Sequence, residues 1–327
     1  MRLSVLRTAA SCLLLAAGAS YAQPAARESR WPERPVRVIA PTLAGGPTDI
    51  IIRIVTTRIA EGFDKPFVVD NRPGAGGLLG TDIVAKAPPD GHTLLFTYAA
   101  HSIIPFIYPQ VAYDVHRDFV PITMTSTQPL LLAVHAGVKA NTVQELVAYA
   151  KANPGKLNLA LASPGGSGAL AAELFKMVTG TNMVTVPFKG AAQAMPALLS
   201  GEMHLIFTSL PSVLPHVKGG KVRVLGVGSL KRSQFMPEVP TLVESGIRDF
   251  NTAPWQGLLA PARTPPAIVE LVYKRVAEAL KVPEVRQRLA AVGTEVEGTS
   301  PAEFSAFLKR ELAQNSRIIK AAGIKVE

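Results

Sequence analysis

One pattern occurs twice along this chain: a short apolar run, a loop containing Gly-Gly, and an amphipathic segment. The first copy covers residues 36–54 and the second covers residues 157–178. Each copy predicts a buried strand, a tight glycine turn and a helix. The free N–H groups of such a turn, together with the positive end of the helix dipole, form a site for an anion. Two copies therefore predict two lobes that close on one small anion.

Strand and helix patterns alternate along most of the chain, which is typical of α/β proteins with parallel sheets. The C-terminal third instead predicts successive helices at 265–281, 283–292 and 301–322, the last with Ser300 as its N-cap. A chain of 327 residues is long enough for two domains. The predicted strands are 35–41, 66–70, 92–98, 119–126, 130–135, 157–162, 183–188, 203–208, 222–228 and 255–260.

No low-complexity linker divides the chain, so we expect strands to cross directly between the two lobes. The apolar segments 127–135 and 252–262, both bounded by prolines, are the candidates for these crossings. They predict a first lobe made of residues 31–128 and 252–327, and a second lobe made of residues 129–251.

The N-terminus has the pattern of a secretory signal peptide, residues 1–22. Two arginines precede an apolar run from Ala9 to Ala19, which is too short to span a membrane. We expect cleavage after Ala22 and export of the mature protein. The single cysteine, Cys12, would leave with this segment, so we expect neither a disulfide nor thiol chemistry.

The net charge of +10 comes from basic residues that are scattered along the chain. No basic run is interleaved with aromatic residues, so we expect no nucleic-acid partner. No two histidines have the H-x-x-x-H spacing of metal ligands, and strand ends lack the paired carboxylates of many enzymes. We therefore expect no metal, no cofactor and no catalytic residue. The strand ends instead carry the hydroxyl residues Thr97, Thr208 and Ser209.

The first glycine loop, residues 44–49, has two interpretations. Its amides face a ligand, or it is simply a tight turn in which Thr48 or Asp49 caps the following helix. We interpret Asp49 as a cap, because a carboxylate should not face an anionic ligand. His101 follows a predicted strand and is expected either to line the cleft or to lie in a surface loop.

Two further motifs are incomplete. Residues 71–80 nearly match the dinucleotide fingerprint G-x-G-x-x-G, but Leu79 takes the place of the third glycine. We exclude dinucleotide binding and expect this loop to shape the rim of the cleft. Residues 165–169 nearly match the nucleophile elbow G-x-S-x-G, but no histidine follows Asp249 to complete a triad. We expect Ser167 to be a hydroxyl donor or an N-cap, with an exported serine hydrolase using Ser167 as the alternative function.

Several segments of the chain, which follow one another in the same order as in the family, resemble the Bug family, the periplasmic solute receptors of tripartite tricarboxylate transporters. The similarity extends over nearly the whole chain after the signal peptide. Its most specific part is Asn71 to Gly77. The segments that carry the resemblance are 35–49, 68–77, 90–95, 186–190, 210–212 and 257–261.

The resemblance implies a type II periplasmic binding-protein (Venus-flytrap) fold, in which two α/β lobes are hinged by crossing strands. It implies a monomer that binds a small carboxylate through loop amides and ordered water, without a cofactor. The implied partners are membrane permease subunits of a tripartite tricarboxylate transporter or a sensor kinase. The residues expected to line the cleft are Thr42, Ala44, Gly45, Gly46, Thr48, Thr97, His101, Ser163, Gly165, Gly166, Ser167, Gly168, Phe188, Thr208 and Ser209.

The chain departs from the family pattern at positions that bear on the ligand. Phe188 stands where a tyrosine is usual, and Thr208-Ser209 stand where the family usually has Asp-Asn. Loss of that aspartate removes a partner for a ligand ammonium group. The resemblance therefore implies a plain carboxylate, with an apolar or aromatic body against Phe188, rather than an amino acid.

Overall fold

The computed structural model describes residues 31–162 and 166–324. The predicted signal peptide, with Cys12, and the predicted site residues Ser163 and Gly165 lie outside these ranges. The described residues from Pro32 onward form one compact unit. None of the helices within the described ranges is both long enough and apolar enough to cross a membrane.

Strands and helices alternate as far as β9, and helices dominate after β10. The strands are β1 (Val36–Ala40), β2 (Phe67–Asn71), β3 (Thr93–Tyr98), β4 (Phe119–Thr127), β5 (Leu130–His135), β6 (Asn158–Leu161), β7 (Val184–Pro187), β8 (Leu205–Ser209), β9 (Val222–Val227), β10 (Trp255–Pro261) and β11 (Glu295–Val296). The α-helices are α1 (Pro47–Ala60), α2 (Leu78–Ala85), α3 (Ile104–Ile107), α4 (Val143–Ala152), α5 (Ser167–Thr179), α6 (Ala191–Leu199), α7 (Leu210–Lys218), α8 (Pro266–Ala279), α9 (Pro283–Ala291) and α10 (Pro301–Ala322). Short 3₁₀ turns occur at Ala75–Gly77 and Ala99–Ser102.

The predicted strands are all present, with ends that differ by no more than two residues from the prediction. The three predicted C-terminal helices are present as α8, α9 and α10. The predicted start of α10 is confirmed: Ser300 and Glu303 form a capping box, with Pro301 at the first helical position. Strand β11 was not predicted, because two residues are too few to show an alternating pattern.

The strands form two mixed sheets: the predicted parallel pairing is present, but it does not extend to every strand. The first sheet has the order β11-β4-β10-β3-β1-β2, and the second has the order β7-β6-β8-β5-β9. In the first sheet β10 runs antiparallel to β3 and β4. In the second sheet β5 runs antiparallel to β8 and β9. These two antiparallel strands, β10 and β5, are the first that the chain enters after passing from the other sheet.

The chain passes between the sheets twice. It leaves the first sheet at the end of β4 and enters the second at the start of β5; it returns between β9 and β10. The two crossings are tied together, since Gln128 N–H donates to the Pro254 carbonyl at 2.8 Å and Gly228 N–H donates to the Leu130 carbonyl, at the start of β5, at 2.8 Å. The lobe boundaries at 128/129 and 251/252 stay a prediction.

Helix α10 contributes to the hydrophobic cores of both sheets. Phe304 and Leu308 are buried with residues of the first sheet. Ile318 and Ile319, about three turns later, are buried with residues of the second sheet. A single helix therefore packs along both halves of the fold beside the crossing strands.

Candidate functional site

Three loops of the first sheet lie at one edge. Strand β1 pairs in parallel with β2 and with β3, so the C-terminal ends of these strands share an edge. The loops 41–46, 72–77 and 99–103 leave from this edge. Strand β10 begins there too, because Gln256 pairs with Tyr98, the last residue of β3.

The second sheet has a matching edge. Strand β6 pairs in parallel with β7 and with β8, so the C-terminal ends of these strands share an edge. Strand β5 begins at this edge, since Leu130 pairs with Ser209, the last residue of β8. Only residues 128 and 129 separate the end of β4 from the start of β5. Both loop edges therefore lie where the crossing segments join the sheets, and they border one cleft.

The loop 41–46 contains the predicted residues Thr42, Ala44, Gly45 and Gly46. Thr42 and Gly46 are half-buried, and Ala44 and Gly45 are exposed. Gly45 has φ +77°, which explains the glycine in this turn. The N-cap of α1 is Gly46, and neither Thr48 nor Asp49 occupies that position, so the interpretation of these two side chains as N-caps is wrong.

The amide of Gly45 does not point toward a ligand. Its N–H donates to the Asp49 carboxylate, with 2.8 Å between N and Oδ2. The prediction of an unpaired amide is therefore wrong at this residue. The N–H groups of Thr48 and Asp49, in the first turn of α1, have no acceptor in the described part of the chain, so they are the free donors of this loop.

Two predicted residues of the first lobe are buried instead of lining the cleft. Thr97 is buried within β3, paired with Gly257 of β10. His101 is 1% exposed and lies within an aromatic cluster, stacked on Tyr113 and edge-on to Phe119. Both ring nitrogens lack a hydrogen-bond partner within the described residues. Burial lowers the pKa of His101 to about 3, so its ring is neutral. Neither of the two predicted positions for His101, in the cleft or in a surface loop, is correct.

In the second lobe, α5 begins at the expected glycine loop. Ser167 is its first residue and Gly166 is its N-cap, so Ser167 itself is not the N-cap. Gly168 lies against β8: a Cβ atom at this position would lie 2.9 Å from the carbonyl oxygen of Phe207. This glycine therefore allows the helix to approach the strand closely, and its contact with a ligand stays a prediction.

The remaining predicted residues lie at the ends of β7 and β8. Phe188 is half-buried against the apolar core on one face of the second sheet, and its N–H donates to the Leu161 carbonyl at 2.9 Å. Thr208 is buried within β8. Ser209 is half-buried and is the N-cap of α7, with its Oγ 3.2 Å from the Ser212 Oγ. Ser209, but not Thr208, is accessible from the cleft edge.

The two lobes approach each other in a narrow crevice. Ser167 lines it from the second lobe, and Ala99 and Ile103 line it from the first lobe. Helix α10 contributes Glu311 and Asn315. The crevice has a volume of about 20 Å³, enough for about one water molecule. The structure therefore places Ser167 at a boundary between the lobes.

A set of polar residues around the crevice was not predicted. Glu311 Oε2 accepts a hydrogen bond from Trp255 Nε1 at 2.6 Å, and Asn315 Nδ2 donates to Ser102 Oγ at 3.1 Å. Burial raises the pKa of Glu311 to about 7. These side chains are spaced along one face of α10, a pattern that in the sequence is indistinguishable from an ordinary polar helix face.

For the alternative function, hydrolysis by Ser167, the structure does not bring His204 near this serine. His204 precedes β8, and its Nδ1 accepts the Asn158 N–H at the start of β6, whereas Ser167 follows the end of β6. The length of β6 therefore separates His204 from Ser167, roughly 10 Å at ~3.3 Å per residue. Within the described ranges, no group of three His, Cys, Asp or Glu side chains could hold a metal ion.

A two-lobed α/β fold with loop edges bordering a cleft at crossing strands defines the class of solute-binding proteins. The model of the family described as "Tripartite tricarboxylate transporter family receptor", TctC, matches residues 51–324, and the chain belongs to this family. The protein BugT of Bordetella pertussis is 33% identical over 313 residues, which cover 95% of this chain and 96% of BugT. The resemblance to the Bug family is therefore confirmed.

Three solved structures show the same fold. Rpa4515 of R. palustris, solved with adipate, is 33% identical, with a TM-score of 0.71 over 90% of this chain and 100% of that one. MatC of Rhodopseudomonas palustris, with bound malate, is 30% identical, with a TM-score of 0.67 over 88% and 100%. A TctC solute-binding protein from Polaromonas without ligand is 29% identical, with a TM-score of 0.83 over 89% and 99%.

Proposed function

We propose that this protein is a periplasmic receptor that binds a small organic carboxylate between its lobes and delivers it to permease subunits of a tripartite tricarboxylate transporter. The single observation that carries the proposal is that two relatives of the same fold, each about one-third identical, hold adipate and malate. Export through a signal peptide cleaved after Ala22 is part of the proposal, and the intact mass of protein from the periplasm tests it.

The chemistry of the loop edges supports recognition without a charged side chain. Apart from His101, whose ring is neutral, the predicted site residues have no ionisable side chain. Helices α1 and α5 begin at the cleft edges, and Ser167 and Ser209 add hydroxyl groups there. Backbone N–H groups at helix N-termini bind carboxylates well, so a carboxylate can be held here without a basic side chain.

The direct test uses a panel of ligands. Calorimetry and thermal shift with adipate, malate, their amides, aromatic acids and amino acids should show binding of the acids and loss of binding in the amides. An amide places N–H groups against the donors of the protein. Amides that bind as tightly as the acids would contradict the proposal, as would a panel in which no acid binds.

Gly46→Val should weaken this binding. Gly46 has φ −73° and ψ 166°, which any residue can adopt, and an added Cβ would lie 3.4 Å from its nearest neighbour, the Leu43 carbonyl oxygen. The fold should therefore tolerate valine, whereas the side chain obstructs approach to the N–H groups of α1. Loss of one charge-assisted hydrogen bond costs about tenfold to a hundredfold in affinity.

Gly219→Val is the matched control for Gly46→Val. Gly219 also has a negative φ, −80°, and lies at the C-terminal end of α7, away from the cleft edge. Calorimetry should give this variant the affinity of the wild type. Equal affinity in both variants would show that the ligand does not approach the Gly46 loop.

Ligand binding should also close the lobes. The TM-score is higher with the ligand-free Polaromonas protein, 0.83, than with the adipate-bound and malate-bound proteins, 0.71 and 0.67. Identities are similar in the three cases, so these values support an open arrangement of the lobes in this chain. Small-angle scattering should show a smaller radius of gyration when a saturating carboxylate is added. An unchanged scattering curve at saturation would instead indicate a rigid, preformed site.

A further inference from the structure

We infer that Asp49 is a positioning residue for the ligand: it fixes the first glycine loop so that the free N–H groups of α1 face the cleft. The inference rests on the proposed function, because it assigns a role in carboxylate binding. It concerns three side chains from two elements of the fold: Asp49 and Arg53 on α1, and Asn71 at the end of β2.

Asp49 is almost completely buried and each of its carboxylate oxygens has a donor. It is 2% exposed, in the first turn of α1. Its Oδ2 accepts the Gly45 N–H at 2.8 Å and the Arg53 Nε–H at 2.9 Å. Its Oδ1 accepts from Asn71 Nδ2 at 2.8 Å. The carboxylate therefore connects the loop, the helix and the neighbouring strand.

Asn71 and Arg53 close the network. Arg53 donates from Nη2 to Asn71 Oδ1 at 2.7 Å, and Asn71 Nδ2 lies 3.2 Å from the Thr42 carbonyl oxygen, which also accepts from it. The loop from Thr42 to Asp49 is thus held at its beginning, in its middle and at its end. Both the amide orientation of Gly45 and the start of α1 depend on this arrangement.

The carboxylate is charged in this setting. Burial acts to raise the pKa of Asp49, but the hydrogen bonds from Arg53, Asn71 and the Gly45 amide outweigh it and hold the pKa below its usual value. A buried carboxylate is tolerated only when it is paired and hydrogen-bonded, and here both conditions are met. The charge of Arg53 balances that of Asp49, so the network places little net negative charge behind the loop.

The network also decides which donors remain for a ligand. Asp49 occupies the Gly45 amide, while the N–H groups of Thr48 and of Asp49 itself have no acceptor among the residues that the structure describes. Because Asp49 is buried, it does not contact a ligand in the cleft. Its effect is to hold the following amides in one orientation before the ligand arrives, which reduces the ordering cost of binding.

The test compares Asp49→Asn with the double variant Asp49→Asn/Asn71→Asp and with Glu270→Gln. The double variant exchanges the carboxylate and the amide across the same hydrogen bond and keeps an anion beside Arg53. Glu270→Gln is the matched control, since Glu270 and Lys274 form an i,i+4 ion pair on α8 in which both side chains are at least half exposed. Exchange of the Gly45 amide hydrogen is followed by NMR in the ligand-free protein, and binding of adipate and malate is measured by calorimetry.

In Asp49→Asn, we expect the Gly45 amide to exchange at least about tenfold faster and the Kd for the bound acid to rise about tenfold to a hundredfold. The double variant should recover part of both losses, because it restores the hydrogen bond between positions 49 and 71 but leaves the Thr42 carbonyl without its donor, and Glu270→Gln should change neither. A merely structural defect would lower the number of binding sites per protein without changing the Kd of the folded fraction. That result would overturn the positioning role.

Two other results would also overturn the inference. Unchanged Gly45 exchange in Asp49→Asn would show that the carboxylate does not fix the loop. Faster exchange with unchanged Kd would show that loop order does not set affinity. Failure of the wild type to bind any acid would instead contradict the proposed function, and Gly45 exchange would still decide whether Asp49 holds the loop.

Discussion

At pH 4, His101→Phe should make this protein more stable, although the histidine is completely enclosed in the wild type. His101 is neutral in the folded protein, with a pKa of about 3, whereas an unfolded histidine titrates near 6.5. Between these values the unfolded state binds a proton that the folded state does not. Stability is therefore lost as the pH falls below about 6.5, at up to ~1.4 kcal/mol per pH unit.

The surroundings of His101 explain why phenylalanine should be accepted. The centre of the His101 ring lies 5.1 Å from the ring centre of Phe119 and 6.5 Å from that of Trp255, edge-on to both, and the ring stacks on Tyr113. Neither ring nitrogen has a partner in the described structure, so the substitution breaks no hydrogen bond of this ring. Replacing a buried polar group by an apolar group of similar shape is often nearly neutral. At pH 7.5 the two proteins should differ by no more than about 1 kcal/mol.

The contribution of Glu311 to stability changes with pH in the opposite direction over part of the same pH range. Its pKa is raised by burial to about 7, so the folded state holds its proton more tightly than the unfolded state, whose pKa is 4.5. Stability gained through Glu311 is present below about pH 4.5 and is lost as the pH rises through 7. In the wild type the two groups offset each other between about pH 6.5 and 4.5, and only the loss from His101 continues below that range.

Urea unfolding at pH 7.5, 5.5 and 4 separates the two groups. His101→Phe should gain about 3 kcal/mol over the wild type between pH 7.5 and pH 4. Glu311→Gln, which keeps an acceptor for Trp255 Nε1, should lose stability steadily below pH 6.5, because the compensating carboxyl is gone. A difference between His101→Phe and the wild type that stays constant across the three pH values would show that His101 is not buried in its neutral form.

The sequence predicted the strands well and their directions poorly, for a physical reason. An apolar run such as residues 130–135 shows that a strand is buried, but it does not show which neighbour it pairs with. Strand β5 pairs antiparallel with β8. The short crossing at residues 128–129 carries the chain from the first sheet into the second without turning it back, and this sets the direction of β5. This information is in the topology and not in the local pattern.

For the candidate site, the loops could be predicted but the direction of individual groups could not. Glycines at 45 and 168 indicated special backbone positions correctly, yet Gly45 directs its amide to Asp49 and Gly168 makes room for β8. His101 follows a strand end as expected, but the 3₁₀ turn at Ala99–Ser102 turns its side chain into the core. Whether a residue at a strand end faces a cleft or the core depends on the turn geometry, which its residue type does not determine.

Thr208 and Ser209 also differ in whether the side chain faces the core or the cleft. Both end β8 and both carry a hydroxyl group, so the sequence treats them alike. In the structure Thr208 is buried within the sheet, and an aspartate there would test folding instead of recognition, because a buried unpaired charge is strongly destabilising. Ser209 is half-buried at the N-cap of α7, where φ is −80° and ψ is 156°. A charge placed at Ser209 can therefore be tested against the ligand.

Ser209→Asp should abolish most carboxylate binding while leaving the fold intact or slightly more stable. Aspartate is among the preferred N-cap residues and a negative charge is favourable at a helix N-terminus, so α7 should accept it. The same charge at the cleft edge repels an anionic ligand; we expect the Kd for adipate or malate to rise by more than about tenfold. Ser209→Asn is the matched control, because it places a side chain of the size of aspartate at the N-cap position without the charge, and its affinity should stay close to that of the wild type. Ligands that carry an amino group should lose less affinity than dicarboxylates in Ser209→Asp, since the new carboxylate can pair with an ammonium group.

If calorimetry gives the same Kd for Ser209→Asp and Ser209→Asn, the bound carboxylate does not lie near the end of β8, and the second-lobe half of the site must be sought at α5 alone.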